Sequence, residues 1–248
     1  MTYETRYCAF VDILGFQSML RTTEAENIRQ ILMSVRNLPL AEGRDRLPFS
    51  QSDLKFQSFS DNICVSAANN ADGLAHIMHS LEALAIALLD GGTLLRGGIV
   101  RGNLFHDEHV VFGDALVAAY NLESTIANHP RIMITREVVA DARRLFPSRF
   151  TDDFIEGFIQ QSGDGPFFLN VLYGMRPYLE STDAPVRESW IQRYQLMAAR
   201  LQERFDASVD NPRHYAKLLW FARYWNEATG AFRADIPAVT GPGTNTFD

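Results

Sequence analysis

The chain has 248 residues, 46% of them hydrophobic and 21% charged, a balance that fits a folded protein with a sizeable core and excludes a disordered or fibrous one. A formal net charge of -7 and a pI near 5.4 exclude a protein that coats a nucleic-acid backbone with a dense basic surface, but leave room for a small anion held through metal ions. No basic segment followed by an apolar run opens the chain and no apolar run reaches membrane-spanning length, so the expected location is cytoplasmic, with neither membrane nor nucleic acid as partner.

Residues 6–14, RYCAFVDIL, read as a buried strand that Gly15 releases into a turn. The stretch TEAENIRQILMSVRNL carries Ile28, Ile31, Leu32, Val35 and Leu38 at helical spacing, and residues 41–53 are a polar loop. LKFQSFSDNICVSA predicts two strands around a turn at Ser60, Asp61 and Asn62. A long apolar helix follows and stops at Gly91-Gly92; its His76 and His79 have no third ligand nearby in sequence and read as packing residues. TLLRGGIVRGNLFHDEHVVFG predicts a hairpin with its tip at His106, Asp107 and Glu108, then a helix over DALVAAYNLESTIA, the strand PRIMIT and a helix over REVVADARRLF. This order implies an α+β fold with helices on one face of a mixed sheet.

Beyond Gly163-Asp164-Gly165-Pro166 comes a late strand, FFLNVL, and then two helices with apolar seams. Trp190, Tyr194, Met197 and Leu201 mark the first seam; Tyr215, Leu218, Ala222 and Trp225 mark the second. The expected organisation is a domain over 1–150, a strand and helical extension over 151–235 packed on it, and a disordered tail over 236–248. Cys8 and Cys64 lie in predicted strands. Counting strand parity from the nearest aspartates puts the two thiols on opposite faces, which argues against a disulfide.

Two aspartates carry the chemistry. Asp12 ends the first strand and Asp61 sits at a hairpin turn, so the two converge if those strands are neighbours. Paired carboxylates are hard oxygen ligands for magnesium or manganese, and two such ions can clamp a phosphoryl group. The glycine turn in ILGFQ, after Asp12, offers free backbone groups to a triphosphate.

FVDILGF, FSDNI, LLRGGIVRGNLFHDEHVVFGDALVAAYNLES and PRIMI, in that order over residues 6–136, resemble the catalytic domain of class III nucleotidyl cyclases. The resemblance implies a ferredoxin-like cyclase sandwich with C-terminal helices added, a homodimer with a composite active site, and two divalent cations, Mn²⁺ or Mg²⁺, on Asp12, Asp61 and the carbonyl of Ile13. It also implies nucleotide contacts at Phe10, Ile13, Gly15, Phe16, Gln57, Arg46 and Asn121.

The chain departs from the adenylate-specific pattern, with Gln57 in place of a lysine, Val110 in place of a base-reading acid, and Val117 and Asn121 where an asparagine and an arginine steady the transition state. Arg96 and Arg101 are candidate catalytic replacements, with Arg44 and Arg46 in the polar loop behind them. This combination resembles the bacterial pyrimidine cyclases of the Pycsar anti-phage defence system. The implied activity is conversion of UTP to 3',5'-cyclic UMP and pyrophosphate, a signal for a separate effector protein. Conversion of CTP to cyclic CMP, or an inactive cyclase-like module that binds nucleotide, are the alternatives.

Overall fold

The computed structural model describes residues 2–36, 53–148, 151–232 and 234–241. Strand β1, Glu4–Leu14, sits at the centre and divides its side chains by parity. Tyr7, Ala9, Val11 and Ile13 enter the main core, whereas Cys8 joins a smaller cluster on the other face, with Phe10 packed against it.

Gly15, at φ 87°, takes the left-handed conformation open to glycine and turns the chain into helix α1, Phe16–Thr22, followed by α2, Ala25–Met33. The hairpin of β2, Lys55–Phe59, and β3, Asn62–Ala68, leads to α3, Ala71–Leu89. Asn70 caps α3 by accepting from Gly73 N at 2.8 Å. The helix is long and apolar enough to cross a membrane but is mostly buried as the core helix, with His76 inside it.

Strand β4, Leu94–His106, is much longer than its hairpin partner β5, Val111–Phe112. The tip between them is held by Asp107, whose Oδ1 accepts from the backbone N–H groups of His109 and Val110. Helix α4, Asp114–Asn121, runs into a π-helical turn, Leu122–Ile126, before β6, Ile132–Ile134, and α5, Arg136–Leu145.

The remainder is α6, Asp152–Phe158, the pair β7, Ile159–Gln161, and β8, Phe167–Leu169, then α7, Arg176–Leu179, α8, Ala184–Asp206, and α9, Pro212–Gly230. The strand order is β2-β3-β1-β4-β6-β8-β7; β4 and β6 are parallel and the other pairs antiparallel. The α+β class with a mixed sheet and C-terminal helices is as expected.

Three details differ from expectation. Helices cover both faces of the sheet. Helix α3 and α5 residues lie in the main cluster, while Ala115 and Ala119 of α4 lie in the smaller one. Glycine makes the second layer possible: a methyl at Gly98 would stand 2.6 Å from Leu122, so the bare backbone of β4 is what admits the turn after α4.

The extension continues the sheet and shares the core instead of packing on as an appendage. Trp225 of α9 is fully buried and stacks on Tyr194 at 5.4 Å, a burial worth about 2–3 kcal/mol. Part of the expected disordered tail is ordered. Trp225 Nε1 donates to Pro237 O at 3.1 Å, Asn226 bonds Val239 through both its amide atoms, and Val239 is buried. Residues 242–248 lie outside the described residues.

Candidate functional site

Strand register brings the two aspartates together. Asp12 faces Asn62 across β1 and β3, and Ile13 N donates to Asp61 O at 2.9 Å, which fixes the hairpin turn beside the end of β1. Ser60, at φ 56°, supplies the tight bend, and Asn62 Nδ2 donates to Asp61 Oδ1 at 3.0 Å. Burial pushes the Asp12 carboxyl up from its ordinary value; Arg96 pulls it down, and the nearby negative charge of Asp61 adds to the rise.

Arg96 faces Asp12 across β1 and β4, with Nη2 3.3 Å from Asp12 Oδ2. The same guanidinium nitrogen is ion-paired with Glu123, a buried carboxylate from the π-helical turn. Burial raises the Glu123 carboxyl, Arg96 opposes this, and Asp12 reinforces it. One arginine therefore bridges two carboxylates, and a third, Asp61, lies within electrostatic reach.

Glu123 escaped the sequence reading, although a signal existed. It stands four residues beyond Ala119 and eight beyond Ala115, on the buried stripe of its helix, where a carboxylate needs a cationic partner. The π-helical turn that carries it is a rare local geometry, common at functional sites.

The remaining candidates separate. Arg101 does not join Arg96: five residues along one strand is an odd step, and Arg101 emerges on the α5 face, paired with Glu137 and with Asp141 at 2.9 Å. The Phe16 side chain is buried in the core, as is that of Ile13, so neither ring nor alkyl group faces a ligand. Phe10 remains on the Asp12 face, edge-on to Tyr120 at 5.5 Å.

Gln57 shares that face, two strands away from Phe10 in the same row. Its Nε2 donates to His109 O at 3.1 Å, while the buried Oε1 has no partner among the described residues. Asn121 is exposed at the end of α4, together with Val117 and Tyr120. Arg44 and Arg46 lie outside the described residues.

The thiols are on one face, with Cys8 Sγ and Cys64 Sγ 4.0 Å apart. The parity count failed because Asp61 belongs to the turn and not to β3, so alternation cannot be carried from it to Cys64.

Among the described residues, no group of three His, Cys, Asp or Glu is arranged to hold a metal ion. The donor chemistry nonetheless suits a hard divalent cation. Asp12 and Asp61 are oxygen donors close enough to repel each other, and a cation between them would relieve that repulsion.

The chain matches no protein-family model and no curated protein. Among solved structures, it is similar to the monomeric guanylyl cyclase domain of the RhoGC fusion protein from the aquatic fungus Blastocladiella emersonii, at 13% identity and a TM-score of 0.42, over 68% of this chain and 96% of that one. The guanylyl cyclase Cya2 aligns at 12% identity and 0.39, over 68% and 93%. The adenylate/guanylate cyclase/hydrolase from Silicibacter pomeroyi aligns at 18% and 0.38, over 67% and 95%. At these values the likeness assigns no activity, and the functional reading rests on the residues described above.

Proposed function

We propose that the chain is a nucleotidyl cyclase that converts UTP to 3',5'-cyclic UMP and pyrophosphate. The observation that carries this reading is the convergence of Asp12 and Asp61 at one end of the sheet, beside the glycine turn at Gly15. Two divalent cations on these carboxylates and the Ile13 carbonyl would lower the pKa of the ribose 3'-hydroxyl and neutralise the departing pyrophosphate.

Asp12 and Asp61 would hold those cations beside the position where the reacting phosphate must sit. Arg96 keeps the Asp12 carboxylate oriented before substrate arrives, and its remaining donors suit phosphate oxygens. Because both aspartates serve as ligands, no side chain acts as general base in this scheme. Gln57, on the Asp12 face, reads the base: once its amide turns away from His109 O and brings the buried Oε1 outward, that oxygen accepts from N3–H of uracil. The exocyclic amine of cytosine would satisfy the same oxygen, so CTP is the alternative substrate.

The active form is a homodimer with a composite site. Phe59, Val117, Tyr120 and Ile126 are exposed large apolar side chains on β2, α4 and the turn after it, and Val110 and Phe112 of the β5 hairpin add to them toward the other end of β4. A second copy laid on them would cover this surface and bring its own Asn121 toward the site. The product would serve as an anti-phage signal read by a separate effector protein.

The test is incubation of the purified protein with ATP, GTP, CTP and UTP separately, each with manganese, and identification of products by mass spectrometry. Cyclic UMP formed by the native chain and lost in Asp12→Asn supports the proposal. Cyclic CMP alone moves it to cytidylate cyclase. No product from any nucleotide by a folded dimer favours a binding module.

A further inference from the structure

The polar residues at this end of the molecule include several that the two-aspartate scheme does not use. Helix α9 brings Lys217 into the field of Arg96, Asp12 and Glu123, and α8 lays Arg204 against the glycine turn. A methyl group on Gly15 would stand 2.6 Å from Arg204 Nη2, so the guanidinium rests directly on the backbone that follows Asp12. Arg204 Nη1 also donates to Gly92 O and reaches Thr93 Oγ1 at 3.4 Å.

The position of α9 is fixed independently of these charges. Trp220 stacks on His129 at 5.4 Å, and the Arg131 guanidinium lies over the Trp220 ring at 5.3 Å. Arg131 O accepts from Gly97 N at 3.1 Å, next to Arg96 on β4. Lys217 is three residues, about one helical turn, before Trp220, which places it on the same side of α9, over the end of β4.

These cations are not balanced pair by pair. Arg96 is paired with Asp12 and Glu123, whereas neither Arg204 nor Lys217 has an ion-pair partner among the described residues. The half-buried Lys217 ammonium makes no hydrogen bond among them either. Burial lowers its pKa, as does Arg96, while Asp12 and Glu123 hold it up; burial, Arg204 and Lys217 keep the neighbouring His214 below its ordinary value. A partly buried ammonium with neither an ion pair nor a hydrogen bond among the described residues keeps its three donors open to an anionic ligand.

We propose that Lys217, supplied by the C-terminal helical extension, binds the polyphosphate arm of the substrate in the same subunit as Asp12, with Arg204 as a positioning residue that braces the Gly15 turn. The inference rests on the cyclase reading above and deepens it. It assigns the extension a part of the active site, and it adds in cis a second phosphate-binding cation to Arg96, since Arg101 is committed to Glu137 and Asp141. The class of ligand is a di- or triphosphate chain, because a compact ammonium acts on phosphate as a point charge and discriminates little between bases.

The experiment is calorimetric titration of the full-length protein with magnesium pyrophosphate, and separately with uridine, alongside steady-state kinetics with UTP. Lys217→Met should weaken pyrophosphate at least about tenfold and raise KM more than it lowers kcat, with uridine binding unchanged; Lys217→Arg should recover most of the loss. Arg213→Ala, an exposed change on the same helix, should alter neither. If Lys217→Met fails to fold, Lys217→Gln takes its place in the same titration.

Pyrophosphate binding that is equal in native protein and variant overturns the inference, and leaves the cyclase reading intact if the native chain makes a cyclic product. Native protein that binds no pyrophosphate overturns it as well. Binding that depends on Lys217 without turnover of any nucleotide retains the polyphosphate site and sinks the cyclase reading.

Discussion

The Asp12 face of the sheet carries two polar clusters at opposite ends of β1 and β4, and they are built on different terms. At the far end, Arg6 is fully buried and its charge is met completely: Asp53 Oδ2 at 2.7 Å, Asp53 O at 2.9 Å, Glu4 Oε2 at 3.2 Å and Ser66 Oγ at 3.1 Å. Ser66 Oγ in turn meets His106 Nδ1 at 2.8 Å, and Lys55 Nζ donates to His106 O at 2.7 Å. At the near end, Asp12, Asp61, Glu123, Arg96 and Lys217 share one region, with a single arginine bridging two of the carboxylates and a lysine left unpaired among the described residues. At the far end His106 Nε2 is buried without a partner among the described residues, yet the Arg6 charge is met in full, and such a network binds strands together; one with like charges held close has capacity for a ligand.

The comparison breaks most directly at the aspartates. Asp12→Asn or Asp61→Asn should lower nucleotide turnover about a thousandfold or more, since a lost metal ligand removes several kcal/mol of transition-state stabilisation. The melting temperature should stay within a few degrees, because relief of repulsion offsets the lost contacts. Manganese-dependent pyrophosphate release and a thermal melt, run on the same preparations, decide it; a variant with native turnover removes the metal assignment.

Arg6→Met should show the opposite pattern. It strips the far network of its centre and costs about 3 kcal/mol in urea unfolding, while the variant that remains folded keeps native kcat. Loss of activity with stability preserved would mean that the two ends are not separate in role.

His106 gives the far end a pH signature. Burial, together with Arg6 and Lys55, lowers its pKa to about 4. The unfolded chain, near 6.5, therefore takes up a proton first as pH falls. Stability from this residue is full above pH ~6.5 and is lost toward pH ~4, by about 2–3 kcal/mol. His106→Gln should flatten that part of the stability profile, and an unchanged slope would contradict the burial of a neutral imidazole.

The smallest effect tests the platform under α9. Arg131 is buried and pairs with Asp164 through two bonds of 2.6 and 2.7 Å, which holds the Asp164 carboxyl below its ordinary range. The pair's contribution is full above the unfolded carboxyl pKa of about 3.9 and is lost progressively as pH falls from there through the lower folded value. Asp164→Asn should cost about 1 kcal/mol at pH 7, since Asp164 is half-exposed, and little at pH ~2. Equal cost at both values would show that charge is not what the pair contributes.

Much of this was legible in the chain itself. Apolar alternation in RYCAFVDIL, helical spacing through α3, the turn residues at Ser60 to Asn62 and the glycine after Asp12 gave the α+β class and singled out Asp12 and Asp61, because these signals are local and each follows from backbone geometry. Strand parity alone separates Arg96 from Arg101, five residues apart, although the expectation had grouped them.

Other features depended on which strands are neighbours and where helices cross them. Cys64 could not be placed by counting through a turn, and the cover on the second face depended on how closely the turn after α4 approaches Gly98. Glu123 and Lys217 reach Asp12 from sequence positions more than a hundred residues away. Sequence by itself determined most of the strands and helices, though not α6 and β7, and the two carboxylates, through chain-local sterics and hydrophobic periodicity. Only the tertiary structure decided which charges meet at Asp12, since Coulomb interaction depends on distance through space and not on separation along the chain.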